Sequence, residues 1–176
     1  MGRRPHLIDD APLPEPHGLV GATSKAWYDA STGIPGPAFW AVVLGTESAR
    51  SARYHRPSTI VLAQVVGFDS LVRRWGLELA VLGVIDVVRV LRAGCRASDY
   101  VARLADDLIG MILTETDEIA AINMIERVRD RCDQAIELRA GEGRVAFGWA
   151  SPRPNRALEE SVAKAEELLR RDLRRG

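Results

Sequence analysis

Two adjacent carboxylates, Asp106 and Asp107, have the residue type and spacing for metal chemistry. Carboxylate oxygens are preferred ligands of Mg²⁺ and Ca²⁺, so the pair could supply half of a metal site. The simpler interpretation is a turn, because aspartate favours bends in the backbone. Which interpretation holds depends on the elements that position the pair.

Apolar runs on both sides of the acidic pair predict a β-hairpin. Arg103-Leu104 precedes the corner Ala105-Asp106-Asp107, and Leu108-Ile109 follows it. A short acidic corner between apolar segments is a hairpin signal, although the tightest turns prefer a glycine that this corner lacks. We therefore expect the hairpin to organise the candidate site.

The length and composition favour one globular domain with a tail. The chain has 176 residues, of which 47% are apolar and 27% are charged. Residues 1–23 contain four prolines among mixed charges, which predicts a flexible proline-rich N-terminal tail, and residues 24–176 then form a single domain. The formal net charge of zero argues against a protein that binds along nucleic-acid phosphates.

The cysteines and histidines form no recognisable metal site in the sequence. Cys95 and Cys132 are not spaced as a ligand pair, and they suit a reduced cytoplasmic protein better than a disulfide scaffold. The three histidines are scattered along the chain. We also expect no signal peptide and no membrane span, because the longest apolar stretch is interrupted by charges.

The remaining patterns predict an α+β fold. Helical signals occur at residues 38–54, 68–75, 78–93, 116 onwards and 158–173, and strand-like runs occur at 59–66 and 144–150. The run at 59–66 is almost wholly apolar apart from Gln64, which suits a central strand covered on both faces. The order of elements predicts a mixed β-sheet with helices packed on it.

Two apolar features could mark either a protein interface or a core. The helix at 78–93 is apolar around most of its circumference, which suggests an interface unless the N-terminal segment covers it. Four aromatic residues earlier in the chain could form a partner surface, although core packing is the default for aromatic side chains. They are Trp27, Tyr28, Phe39 and Trp40.

Five segments, taken in order, resemble the motifs of the GGDEF domain family, the diguanylate cyclase fold related to nucleotidyl cyclases and polymerase palm domains. Segments 29–35, 65–68, 103–109, 145–150 and 165–166 are similar to the family's D-x-L-T-G-L-P opening, D-x-D-x-F strand end, R-x-G-G-D-E-F signature, S-I-G-V-A strand and R-A-D helix motif, respectively. The resemblance implies a palm-like mixed sheet with packed helices.

The resemblance implies that the catalytic metal site is degenerate. Family members hold two metal ions with two acidic residues, and these positions correspond to Gln64, a neutral amide, and Asp107, an acid retained in type. The adjacent signature glutamate corresponds to Leu108, which can neither bind a metal nor carry a proton. We therefore expect no catalytic residue, no bound metal and no cofactor.

The positions that would bind the substrate GTP are also changed. The asparagine and aspartate that read guanine in the family correspond to Val72 and Val81, which cannot form hydrogen bonds with a base edge. The signature glycines correspond to Ala105 and Asp106, and the carboxylate of Asp106 would repel a triphosphate. The resemblance therefore implies a domain without diguanylate cyclase activity.

A second site implied by the resemblance keeps its residue types. Arg96-Ala97-Ser98-Asp99 matches the family's R-x-x-D motif, an allosteric site for the product cyclic di-GMP, and a further family arginine corresponds to Arg127. A guanidinium can donate to O6 and N7 of guanine, and a carboxylate can accept from the base N–H groups. The same motif also arises as a solvated ion pair at a helix end, so both interpretations stay open.

Two hypotheses of function follow. The first is an inactive GGDEF-like receptor, in which cyclic di-GMP bound at Arg96, Asp99 and Arg127 changes association with a second copy, as a homodimer, or with another protein. The alternative is a ligand-independent interaction or scaffold module. A working cyclase would instead turn over GTP with magnesium.

Overall fold

The computed structural model describes residues 27–29, 32–140, 143–153 and 156–175. The helices in this part of the chain are α1 (Pro37–Tyr54), α2 (Phe68–Trp75), α3 (Leu77–Gly94), α4 (Glu118–Ala140) and α5 (Glu160–Leu173). The strands are β1 (Ser58–Val65), β2 (Tyr100–Arg103), β3 (Leu108–Thr114) and β4 (Val145–Ala150). The predicted tail at residues 1–23 lies outside the described residues.

The four strands form one sheet in the order β2-β3-β1-β4, with antiparallel pairing throughout. The α+β class and the predicted hairpin are confirmed, with Arg103 opposite Ile109 across the corner. The expectation of a mixed sheet is wrong. The crossover through α2 and α3 makes β1 and β2 point the same way, but β3 lies between them and runs in the opposite direction.

Strand β1 is buried on both faces, as its apolar sequence predicts. Alternate side chains point to opposite faces of a strand. Val61, Ala63 and Val65 belong to the core beneath α3 and α4, whereas Ile60 and Leu62 belong to a second core beneath α1 and α5. The sheet is therefore a central layer between two apolar layers.

The apolar helix α3 is accounted for largely by packing within the domain. Its buried residues are Ala80, Gly83, Val84, Val87, Val88 and Leu91. At its end, a Cβ on Gly94 would lie only 2.7 Å from Cγ1 of Val128, so α3 and α4 approach closely there. The large apolar side chains that stay exposed near its beginning are Trp75, Leu77 and Leu79.

Among the four aromatic residues, Trp40 has the clearest core role. It is 8% exposed, and its ring covers Gly110 of β3, where a Cβ would lie 2.8 Å from the indole. Trp27 packs edge-to-face on Phe39 with ring centroids 5.7 Å apart, while Tyr28 is 50% exposed. Core packing therefore explains Trp40, and the small residue at position 110 makes room for it.

Helix α4 begins one residue later than the sequence suggested. The sequence places the helical signal from residue 116 onwards, but the Thr116 hydroxyl donates to the carbonyl oxygen of Thr114 and does not cap the helix. The capping acceptor is Oδ1 of Asp117, which receives the amide of Ala120 at 2.8 Å. A carboxylate suits this position because it interacts favourably with the positive end of the helix dipole.

Candidate functional site

A buried arginine, Arg103, forms a hydrogen bond with the backbone of the hairpin corner. Arg103 is 4% exposed, and its guanidinium lies 3.1 Å from Oδ1 of Asp29 and donates to the carbonyl oxygen of Asp106 at 2.8 Å. Asp29 also accepts the amide and hydroxyl of Thr32. Arg103 therefore ties the corner to the segment that precedes α1.

The two predicted metal-ligand positions meet directly. Nε2 of Gln64 donates a hydrogen bond to Oδ2 of Asp107 at 2.7 Å, and both side chains are partly buried. Two carboxylates at this distance would repel each other unless a cation lay between them. An amide and a carboxylate attract each other instead, so Gln64 occupies one side of Asp107.

The other positions of the signature segment differ in their exposure to solvent. Leu108 is partly buried and packs on the core beneath α1 and α5. Ala105 is exposed, and the Asp106 side chain is 81% exposed. The corner therefore presents a carboxylate to solvent and turns an apolar side chain inward.

The two positions that the resemblance matched to guanine-reading residues lie in an apolar layer. Val72 of α2 and Val81 of α3 are partly buried and pack against the core between the sheet and α4. A valine side chain has no polar atom to offer a base edge. These positions contribute packing in the described structure.

No group of three or more His, Cys, Asp or Glu side chains is arranged to hold a metal within the described ranges. Cys95 and Cys132 are free thiols, and burial raises the pKa of each to about 12. Both thiols are therefore protonated near neutral pH and are weak nucleophiles.

The loop between α3 and β2 is shaped by Asp99. Its Oδ2 accepts the backbone amide of Arg96 at 2.7 Å, and its Oδ1 accepts the backbone amide of Thr114 at 3.0 Å. The solvated ion pair that the sequence left open is not found, because the carboxylate bonds the backbone of Arg96. Asp99 thereby fixes the loop against the end of β3.

The guanidinium of Arg96 is exposed and makes no hydrogen bond or ion pair with any other residue that the structure describes. It lines a groove of about 400 Å³ together with Glu47, Arg50, Ser98, Tyr100, Thr114 and Glu115. Arg127 is also exposed, and its guanidinium lies 3.4 Å from the carbonyl oxygen of Gly94, two residues before Arg96. The packing of α4 on α3 thus brings Arg127 to the loop that carries Arg96 and Asp99.

Sequence reasoning missed the polar wall of this groove. Arg50 donates two hydrogen bonds to Glu47, at 2.7 and 2.8 Å, and one to Glu115 at 3.1 Å. Thr114 fixes Asp99 from the neighbouring strand. Glu47 and Arg50 have the local i,i+3 spacing of a helix, but no local signal links them to the groove, because Arg50 lies 65 positions from Glu115 and Thr114 lies 15 positions from Asp99.

Glu47 is the buried charge at the base of the groove, with 2% exposure. Burial alone would raise its pKa, but hydrogen bonds from Arg50 and Ser58 and the positive charge of Arg50 hold the pKa below its usual value. Glu47 is therefore ionised at neutral pH and anchors Arg50 beside Arg96.

The family model described as "Diguanylate cyclase, GGDEF domain" matches residues 26–176. The chain belongs to the GGDEF family. It is also 26% identical over 102 residues to the probable diguanylate cyclase DgcC of Escherichia coli K12, a match that covers 58% of this chain and 28% of that protein. This GGDEF domain therefore spans less than a third of that relative.

Solved structures confirm the fold of the GGDEF domain. The GGDEF domain and coiled coil of DgcB from Caulobacter crescentus, crystallised with c-di-GMP, give a TM-score of 0.79 at 16% identity and cover 86% of this chain and 83% of that one. SiaD from Pseudomonas aeruginosa, crystallised with its activator SiaC, gives a TM-score of 0.77 at 22% identity. That match covers 85% of this chain and 58% of the SiaD chain. At these identities the likeness shows the fold alone.

No helix within the described ranges has both the length and the apolar character needed to cross a membrane.

Proposed function

We propose that this GGDEF domain lacks cyclase activity and binds cyclic di-GMP through Arg96, Asp99 and Arg127. The observation that carries the proposal is the contrast between its two sites. At the signature corner, Gln64 donates to Asp107 at 2.7 Å, whereas the Arg96 guanidinium is exposed beside a carboxylate fixed by the backbone.

The proposed loss of activity rests on several independent changes, at the hairpin corner and on helices α2 and α3. Metal-assisted attack needs carboxylates that bind cations, and the pair contains one carboxylate bonded to an amide. Leu108 packs in a core, and Val72 and Val81 offer no polar atom to a base. Restoring the family's residue at one of these positions would leave the others changed. We therefore expect no turnover of GTP.

Ligand binding follows from the polar groups of the loop. The exposed Arg96 guanidinium can donate two parallel hydrogen bonds to guanine, or stack on the base. Oδ2 of Asp99 has acceptor capacity left after the hydrogen bond from the Arg96 amide, whereas Oδ1 already faces both the amide and the hydroxyl of Thr114. Arg127 supplies a second cation at the same loop. The complex of DgcB with c-di-GMP supports the ligand class for this fold.

The output of such a receptor would be association with a second copy or another protein. The complex of SiaD with its activator SiaC supports the idea that a GGDEF protein can bind a protein partner. A second candidate function, a ligand-independent interaction module, is favoured by the exposed Trp75, Leu77 and Leu79. Light scattering separates the two, because the module predicts the same molar mass with and without cyclic di-GMP.

Removal of the Arg96 guanidinium should abolish most ligand affinity. A charge-assisted bidentate contact contributes about 2 kcal/mol, so Arg96→Ala should weaken binding of cyclic di-GMP about 30-fold. The fold should be unaffected, since this guanidinium makes no hydrogen bond or ion pair with another described residue. Calorimetric titration with cyclic di-GMP measures the change.

The matched control for this titration is Arg89→Ala. Arg89 is an exposed arginine of α3 that pairs with Asp86 at 2.7 Å. Its removal should leave cyclic di-GMP binding at the wild-type value. Equal weakening by both substitutions would indicate nonspecific charge attraction and would count against the proposed site, as would the absence of heat with the wild type.

The hairpin corner also provides a test of the proposed loss of the metal site. Gln64→Asp should replace the hydrogen bond by two facing carboxylates and destabilise the domain by about 1 kcal/mol. Magnesium should then raise the thermal unfolding midpoint of the variant, because a ligand that binds the folded state stabilises it. The wild type should show no such shift, and a magnesium-dependent rise in the wild type would refute the loss of the metal site.

A further inference from the structure

The groove beside Arg96 contains a carboxylate that the proposed binding site does not use. Glu115 directly follows β3 and lines this groove of about 400 Å³ together with Arg96. The other carboxylate in the lining, that of Glu47, is 2% exposed and already accepts hydrogen bonds from Arg50 and Ser58. Glu115 is therefore the lining carboxylate that a ligand in the groove can reach.

The carboxylate of Glu115 keeps free acceptor capacity. Its side chain is 52% exposed, and its Oε1 accepts one hydrogen bond from Arg50 at 3.1 Å. Its Oε2 accepts no hydrogen bond from any residue that the structure describes. Because an ionised carboxylate can accept about four hydrogen bonds, Arg50 orients this group and leaves most of its capacity to a ligand.

The carboxylate of Asp99 is less available to a base in this groove than that of Glu115. Oδ1 of Asp99 faces both the amide and the hydroxyl of Thr114, and Oδ2 accepts the amide of Arg96. Asp99 is also not among the described residues that line the groove. A base that lies in the groove therefore needs an acceptor other than Asp99.

The charges of Arg96 and Glu115 match two edges of guanine. Both side chains line the same groove but form no ion pair with each other, so a ligand group can lie between them. Guanine has the acceptors O6 and N7, which suit a guanidinium, and the donors N1–H and N2–H₂, which suit a carboxylate. Adenine has an N6–H₂ donor in place of O6, so it would face the guanidinium with the wrong polarity.

We propose that Glu115 selects guanine in this groove by accepting hydrogen bonds from N1–H and N2–H₂ while Arg96 donates to O6 and N7. The inference rests on the proposed binding of cyclic di-GMP and adds to that site a residue that determines specificity for the base. Tyr100 also lines the groove, and its partly buried ring packs against Phe39 with centroids 6.2 Å apart. An aromatic side chain of this kind offers apolar surface to a bound base.

The test compares cyclic di-GMP with cyclic di-IMP, whose hypoxanthine bases lack the N2 amino group but keep O6, N7 and N1–H. In calorimetric titrations the full wild-type chain should bind cyclic di-GMP about ten-fold more tightly, because the amino group forms a hydrogen bond with a charged acceptor. Glu115→Gln should weaken cyclic di-GMP about ten-fold and reduce the preference to less than about three-fold. The variant should stay folded, because Arg50 keeps its two hydrogen bonds to Glu47.

The direction of the change separates recognition of the base from a general effect of charge. Cyclic di-GMP carries negative phosphates, so loss of a nearby carboxylate that makes no contact with it should tighten binding. The matched control is Glu166→Gln, which should leave both affinities unchanged, since Glu166 is 50% exposed and pairs with Arg170 on α5 at 3.7 Å.

Two results would overturn the role of Glu115 and leave the proposed receptor function standing. In the first, Glu115→Gln binds cyclic di-GMP as tightly as the wild type or more tightly. In the second, the variant keeps the full wild-type preference for cyclic di-GMP over cyclic di-IMP. If the wild type itself binds neither ligand, both the proposed function and this inference fail.

Discussion

Gly148→Ala is expected to destabilise the domain by about 3 kcal/mol or more, because overpacking against a main chain cannot be relieved by a side-chain movement. A Cβ on Gly148 would lie 2.1 Å from the carbonyl oxygen of Ala165 and 2.4 Å from the amide nitrogen of Leu169. Helix α5 would have to move away from β4 to admit it. Urea unfolding followed by circular dichroism measures the change as a shift in midpoint.

The control for this prediction is Gly45→Ala, which should act in the opposite direction. Gly45 lies on the exposed side of α1, and a Cβ there would meet no heavy atom within 4 Å. Alanine in a helix interior is more stable than glycine by about 0.5–1 kcal/mol. If Gly148→Ala unfolds at the wild-type midpoint, the close packing of α5 on β4 is not present in solution.

Glu47→Ala should also destabilise the domain, by about 2 kcal/mol, because a buried donor left without its acceptor costs the free energy of its desolvation, while Arg50, at 33% exposure, stays hydrated. Ser58, which is fully buried, would lose its acceptor, and Arg50 would lose two hydrogen bonds. Chemical denaturation is the measurement. The exposed Glu126→Ala, whose carboxylate lies 3.9 Å from Arg129, should change stability by less than about 0.5 kcal/mol.

The same carboxylate should make the stability of the domain dependent on pH. Burial opposes ionisation of Glu47, but Arg50 and Ser58 together lower its pKa below the ordinary value of 4.5. A lowered pKa in the folded state contributes stability that is present above the unfolded pKa and is lost as the pH falls through the folded pKa. The difference in the free energy of unfolding between the wild type and Glu47→Gln should therefore become smaller as the pH falls through the pKa of Glu47. A difference that stays constant with pH would contradict this role.

Much of the fold could be predicted because its signals are local. The apolar run of β1, the hairpin with its acidic corner, and the helix that ends before Gly76 are each specified by neighbouring residues. The prediction of a mixed sheet was wrong because the order of strands is set by pairing between residues that are far apart in the chain. The insertion of β3 between β1 and β2 involves pairs such as Leu62 and Gly110, which are far apart in the chain.

The sequence named residues of the candidate site but not the contacts that the structure shows between them. Gln64 and Asp107 were matched by family resemblance, but the hydrogen bond between them joins residues 43 positions apart. The resemblance likewise gave Arg96 and Asp99 without the two backbone amides that the Asp99 carboxylate accepts. The hydrogen bond from the Phe147 amide of β4 to the Asp172 carboxylate could not be predicted, because the two residues lie 25 positions apart and no local signal links them.

Retention of labelled cyclic di-GMP by the purified chain, with unlabelled competitors, tests the central claim most directly. The proposed receptor should retain the label, and excess unlabelled cyclic di-GMP should displace it. Excess GTP with magnesium should not, because the proposal requires that the corner does not bind a nucleoside triphosphate. No retention of the label, or equal displacement by GTP, would contradict the proposal that Arg96, Asp99 and Arg127 form a product-binding site in an inactive domain.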